Sequence, residues 1–126
     1  MGNDIFVTAI NCMDGRTQGP VIEFMKQKYG ADHVDKITEP GPIKILADNG
    51  PEALIDSIKA RVAVSVNMHG SKAIGIVGHT QCAGNPVEKD VQMVQLEKAV
   101  ETVASWGFNV EIIKIWVGAD WVAEEV

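Results

Sequence analysis

The sequence predicts an α/β fold: a three-layer αβα domain with a mainly parallel sheet of about four strands in the order 2-1-3-4. Short, continuous apolar runs rich in Ile and Val alternate with longer stretches at helical spacing, as expected of strands covered on both faces and joined by crossover helices. Gly and Pro punctuate the boundaries. No repeat or linker interrupts the 126 residues, a length that suits one core and one domain over 1–126.

Ile5 to Ile10 forms the first buried run, and Gly19-Pro20 opens a helix whose Val21, Ile22, Phe24, Met25 and Tyr29 recur at helical spacing, with Gly30 as its stop. His33 to Thr38 is a second, weaker strand. The prolines of Glu39-Pro40-Gly41-Pro42 then demand a turn or loop. Asp48-Asn49-Gly50-Pro51 starts a helix that runs to Met68 or His69 before Gly70. Its sequence ALIDSIKARVAVSV is apolar over more than one stripe, which predicts burial on two sides and hints at a second subunit. Ala73 to Val77 is the next strand, and Gly78 to Pro86 the loop beyond it. Val87 to Trp106 reads as a helix with Val91, Val94, Ala99, Val100 and Val103 inside, and Val110 to Trp116 as the last strand.

The formal net charge of -6 argues against nucleic acid as a partner, because phosphate neutralisation needs a dense basic surface. No apolar run approaches the twenty or so residues that cross a bilayer. The start MGNDIF has neither the basic opening of a secretory signal nor a myristoylation pattern, Phe6 standing where Ser or Thr belongs. The reading is a soluble cytoplasmic protein, in whose reducing surroundings Cys12 and Cys82 stay unpaired.

Parallel sheets bind ligands outside the carboxyl ends of their strands, where strand order reverses. Cys12 lies just past the first strand, and His79 and Cys82 just past the third. If those strands are neighbours, two sulfurs and an imidazole meet, a donor set suited to tetrahedral zinc with one position open, as in catalytic sites. Asp14 and Arg16 follow Cys12 at alternate positions, so on an extended segment all three face one side. Asp14 then either occupies the open position or accepts a hydrogen bond from water bound there, with Arg16 holding it.

Cys12-Met13-Asp14-Gly15-Arg16 and His79-Thr80-Gln81-Cys82, in that order after two strands, resemble the β-class carbonic anhydrases, whose signature is Cys-x-Asp-x-Arg and His-x-x-Cys. The resemblance spans roughly residues 5 to 116. It implies a Zn2+ held by Cys12, His79 and Cys82, a catalytic dyad of Asp14 and Arg16, and reversible hydration of carbon dioxide to bicarbonate by zinc-bound hydroxide. It also implies a homodimer or higher homo-oligomer. Departures are specific. The chain begins almost at its first strand, so the family's N-terminal helical arm has no counterpart, and no residue takes the role of the family's pocket glutamine. Thr38-Glu39-Pro40-Gly41-Pro42 stands where the family carries an Arg-Asn-Ala-Gly-like segment, and Gly84 follows Cys82 by two positions instead of one.

Two alternatives keep the same zinc site: hydrolysis of carbon disulfide or carbonyl sulfide, and a catalytically silent zinc-binding interaction protein. The remaining conspicuous residues read as structural. His69 suits a helix end and His33 a surface loop. Trp106, Trp116 and Trp121 read as core or interface residues, and GHTQCAGN lacks the Lys-Ser/Thr ending of a phosphate loop.

Overall fold

Four strands, β1 (Phe6–Cys12), β2 (His33–Glu39), β3 (Ala73–His79) and β4 (Glu111–Val117), run parallel in one sheet. A fifth, β5 (Ala123–Glu125), pairs antiparallel with β4 and extends the order to β2-β1-β3-β4-β5. The computed structural model describes residues 4–126. Met1, Gly2 and Asn3, the first half of the MGNDIF start that reads as carrying no signal, lie outside the described residues.

Side chains alternate across the strands and divide the core in two. On one face Val7, Ala9, Ala73, Val77, Ile113, Ile115 and Val117 pack beneath Val21 and Met25 of α1 (Gly15–Tyr29). On the other, Ile10, Ile37, Ile74 and Ile76 meet three helices, α2 (Pro42–Asp48), α3 (Glu52–Ala63) and α4 (Lys89–Ala104). The result is the expected three-layer αβα arrangement with one more strand. Among the described residues no helix is long and apolar enough to cross a membrane.

Several boundaries differ from the sequence reading, each for a physical reason. Helix α1 begins at Gly15, so Pro20 lies inside it and Asp14 and Arg16 do not sit on an extended segment. Asp14 instead caps the helix, its Oδ1 accepting the Arg16 N–H at 2.9 Å. After the turn at Pro40-Gly41 the chain enters α2, a short helix where the sequence suggests only loop, and buries Pro42, Ile43 and Leu46.

Within the chain α3 buries one stripe, Ile55, Ile58 and Val62, and leaves Leu54 and the following Val64 and Met68 exposed. It ends in a π-helical turn, Val64–Met68, whose buried Ser65 hydrogen-bonds Thr8 and Asp35. Helix α4 is rotated from the expected phase. Val91 and Val94 are exposed, while Gln92, Leu96, Ala99 and Val103 are buried. His33 and His69 pair with the carboxylates of Asp4 and Asp35, consistent with structural roles.

Candidate metal centre

Cys12 ends β1 and His79 ends β3, and these strands are hydrogen-bonded neighbours. The chain then turns after His79, with Thr80 N–H donating to Val117 O at 3.0 Å. Gln81, in the left-handed region at φ 54°, aims Cys82 back toward the strand ends. The ligand atoms of Cys12, His79 and Cys82 thus lie within 4.8 Å of one another, and all three residues are buried.

Two features lock His79. Its Nδ1 is 2.6 Å from the carbonyl of Thr80; a carbonyl only accepts, so Nδ1 carries the proton and Nε2 keeps its lone pair. Its backbone N–H donates to Gln92 Oε1 at 3.2 Å, and Gln92 Nε2 donates to His79 O at 2.8 Å. Gln92 therefore faces inward to satisfy the strand end, which explains the shifted phase of α4. The turn after β2 crosses the loop after β3 so closely that a Cβ on Gly84 would stand 2.6 Å from Pro40 C, and one on Gly41 2.8 Å from Gly84 C. Only glycine allows both backbones there.

The donors fit zinc. Cys12 and Cys82 are free cysteines with sulfurs 3.8 Å apart, far beyond a disulfide bond. Two thiolates on one tetrahedral zinc at about 2.3 Å each stand about 3.8 Å apart. His79 Nε2 is buried without a hydrogen-bond partner among the described residues, in a fold where such atoms are rare. Burial, then the neighbouring Cys12, push the Cys82 thiol up to about 11, and burial pushes His79 below the usual imidazole value. Without a cation the site thus favours a thiol and a neutral ring. A neutral ring is ready to ligate, while the thiol awaits a charge to stabilise its anion.

Beside these donors Asp14 faces Arg16. Its Oδ1 accepts from Arg16 Nε at 3.0 Å and its Oδ2 from Nη2 at 2.7 Å, a bidentate pair. The Arg16 guanidinium holds the Asp14 carboxyl down to about 2, against the opposing effect of burial. Among the described residues Asp14 is not one of the groups whose ligand atoms converge with the two sulfurs and the imidazole. Arg16 also donates from Nη1 to Gln81 Oε1 at 3.1 Å, tying the Asp14–Arg16 pair to the loop that carries His79 and Cys82.

Over residues 2–126 the sequence matches the model of a family described as "Putative carbonic anhydrase". The chain belongs to this carbonic anhydrase family. Its fold is shared by solved β-carbonic anhydrases. Isoform I from the protozoan Trichomonas vaginalis aligns with a TM-score of 0.59 at 17% identity, over 94% of this chain and 80% of that one. The tetrameric β-carbonic anhydrases of the filamentous ascomycete Sordaria macrospora give a TM-score of 0.53 at 14% identity, over 99% of this chain and 82% of theirs. At such identities the likeness is one of fold. No curated protein matches the chain.

In this carbonic anhydrase family member three residues at the site stand outside the roles its two motifs suggest. Gln92, which holds His79 by its backbone, had a signal: a polar residue at a core-facing helical position must satisfy something. Gln81, which touches Arg16, lay inside the recognised His-x-x-Cys motif without a role. Trp121, whose ring lies under Arg16, had no sequence signal beyond its size. Two clefts lie nearby, one reaching Cys82 and the other reaching Trp121. One of about 370 Å³ is lined by Cys82, Gln81, Lys89 and Trp116. Another of about 520 Å³ runs between Pro20 and Phe24 of α1 and Trp121.

Proposed function

We propose that residues 1–126 form a single zinc-binding domain that acts as a carbonic anhydrase-like lyase, interconverting carbon dioxide and bicarbonate. Cys12, His79 and Cys82 would hold the zinc, and Asp14 and Arg16 would form the catalytic dyad beside it. The observation that carries this reading is the convergence of two sulfurs and a partnerless imidazole nitrogen at adjacent strand ends, in a member of this family.

Bound zinc supplies Lewis acidity and lowers the pKa of a coordinated water, to about 7 at the three-histidine site of other carbonic anhydrases, a magnitude carried over from that different ligand set. The protein's own groups do the rest. Cys12 and Cys82, as thiolates, balance the dication, and two sulfur donors leave the metal less acidifying than imidazoles do. The Nδ1–H···O bond to Thr80 fixes the ring of His79, so its Nε2 needs no reorientation to ligate. Asp14 stays ionised throughout the neutral range and, with lone pairs left over from Arg16, accepts a hydrogen bond from water and orients that water's oxygen toward an incoming carbon. Arg16 holds the Asp14 carboxylate in one orientation and would offer positive charge to bicarbonate.

Carbon dioxide is small and needs no deep pocket. The acidic balance of the chain is consistent with no nucleic-acid partner. Free buried thiols suit the reducing cytoplasm. A homo-oligomer is supported by apolar surface left exposed on the helices, Leu54 of α3 and Val64 and Met68 of the turn that follows it, and Val91 and Val94 of α4, and by the tetrameric assembly of a solved relative. Stopped-flow hydration by zinc-loaded protein tests the reaction. Catalysis above the buffer rate supports it, and a rate equal to buffer with one zinc per chain removes it.

A further inference from the structure

Four residues other than glycine have positive φ among the described residues: Asn49, Gln81, Asn109 and Trp121. Asparagine tolerates this region, because its short amide can hydrogen-bond its own backbone; a bulky side chain does not. The two outliers, Gln81 and Trp121, share a second property. Both contact Arg16. Gln81 accepts from Nη1 through its side-chain oxygen at 3.1 Å and from Nη2 through its backbone carbonyl at 3.4 Å. Trp121 takes the guanidinium over its ring, with Cζ 4.3 Å from the centroid. The same ring stands 6.4 Å from the His79 ring, centroid to centroid.

The strained backbone at Trp121 is held from both sides. In the turn between β4 and β5 its N–H donates to Gly118 O at 2.9 Å, and the next N–H, of Val122, donates to Asp120 Oδ1 at 3.2 Å. Beyond it β5 pairs with β4, and Glu125 binds Lys28 of α1 at 2.9 Å. The ring itself packs against the cluster beneath α1. Arg16 needs such help, since half of its side chain is exposed and an exposed ion pair alone restrains a long side chain weakly. Asp14 and Gln81 engage its in-plane N–H groups; among the described residues only Trp121 engages its face.

We propose that Trp121, delivered by the β4–β5 hairpin, is a positioning residue of the site: it clamps the Arg16 guanidinium so that Asp14 is held in its working orientation beside Cys12, His79 and Cys82. The role in turnover rests on the lyase reading above, while the clamp itself does not depend on metal. Backbone strain at Trp121 persists because the hairpin over-determines it, as strained residues at working sites require.

Side-chain nitrogen–proton NMR separates the two claims. The chain has two arginines, Arg16 and Arg61, so their Nε–H signals are assignable with an Arg61→Lys variant. The clamp puts the Arg16 signal upfield of that of Arg61 through the indole ring current, in metal-free and zinc-loaded protein alike. Trp121→Ala moves it to the ordinary position, leaves zinc at one per chain, and lowers kcat roughly three- to tenfold with KM changed less than about twofold. Trp121→Phe restores most of both effects. Should the alanine variant fail to fold, Trp121→Leu, which keeps apolar bulk without a π face, gives the same comparison. An Arg16 signal that ignores the loss of the ring overturns the clamp, and an unchanged kcat alongside a moved signal overturns its part in turnover. If zinc-loaded wild type has no hydration activity, the lyase reading fails while the Arg16 signal still decides the clamp.

Discussion

Cys12 and Cys82 are 70 positions apart in sequence and 3.8 Å apart sulfur to sulfur, because β1 and β3 are neighbours whose carboxyl ends carry them. Both thiols are buried, and Cys82 is pushed up to about 11, first by burial and then by Cys12, so without a cation it keeps its proton at neutral pH. Zinc takes thiolates, and loading must expel protons. Titration of zinc into weakly buffered metal-free protein at neutral pH is expected to release between about one and two protons per ion. The sign follows directly: affinity rises with pH, on the order of tenfold per pH unit for each proton released. Cys82→Ser removes that proton's share and lowers zinc affinity by roughly a hundredfold or more. Uptake without proton release contradicts ligation by the sulfurs.

Asp14 offers a measurement free of metal. Its carboxyl is held at about 2 by the Arg16 guanidinium, below the ordinary 3.8, so a carboxyl-carbon NMR titration of metal-free protein is expected to show that low midpoint. Because the folded value is the lower one, the pair's stabilisation is present above the ordinary value and is lost as pH falls through about 2. Arg16→Gln raises the midpoint toward the ordinary value. Asp14→Ala additionally removes the cap of α1 and costs about 1 kcal/mol in chemical denaturation, whereas Asp14→Asn keeps most of the cap. A midpoint unmoved by loss of Arg16 contradicts the pairing.

Gly84 joins the loop that carries His79 and Cys82 to the turn after β2. A Cβ there meets the Pro40 backbone at 2.6 Å, contact that no flexible side chain can yield to. Gly84→Ala is expected to destabilise the protein by about 1–3 kcal/mol and to weaken zinc binding by displacing Cys82. Denaturant unfolding with and without zinc reads both. Gly19→Ala serves as the control, since nothing lies within 4 Å of its added Cβ. Equal stability of the two variants contradicts the close crossing.

The parallel core of the fold and the meeting of Cys12, His79 and Cys82 were legible in the sequence for one reason: buried strands read as apolar runs, and parallel sheets gather whatever follows those runs at one edge. Other elements had no such signature. Helix α2 is seven residues long, opens with Pro42 after Pro40-Gly41, and exists because tertiary packing buries Ile43 and Leu46. Strand β5 is Ala-Glu-Glu, a strand by virtue of pairing with the edge of β4 and not by pattern. In α4 the apolar positions misled, since the backbone of His79 draws Gln92 inward at the expense of Val91 and Val94. Spacing placed Asp14 and Arg16 together correctly but on a strand. The aspartate's capping of α1 sets their geometry instead.

The central claim is that Cys12, His79 and Cys82 together hold one zinc, and X-ray absorption at the zinc edge addresses it most directly. Protein purified without added metal, carrying one zinc per chain, is expected to show two sulfur scatterers at about 2.3 Å and nitrogen or oxygen at about 2.0–2.1 Å, with one sulfur lost in Cys12→Ser. An absorption spectrum with no sulfur shell, or one unaltered by Cys12→Ser, contradicts the account.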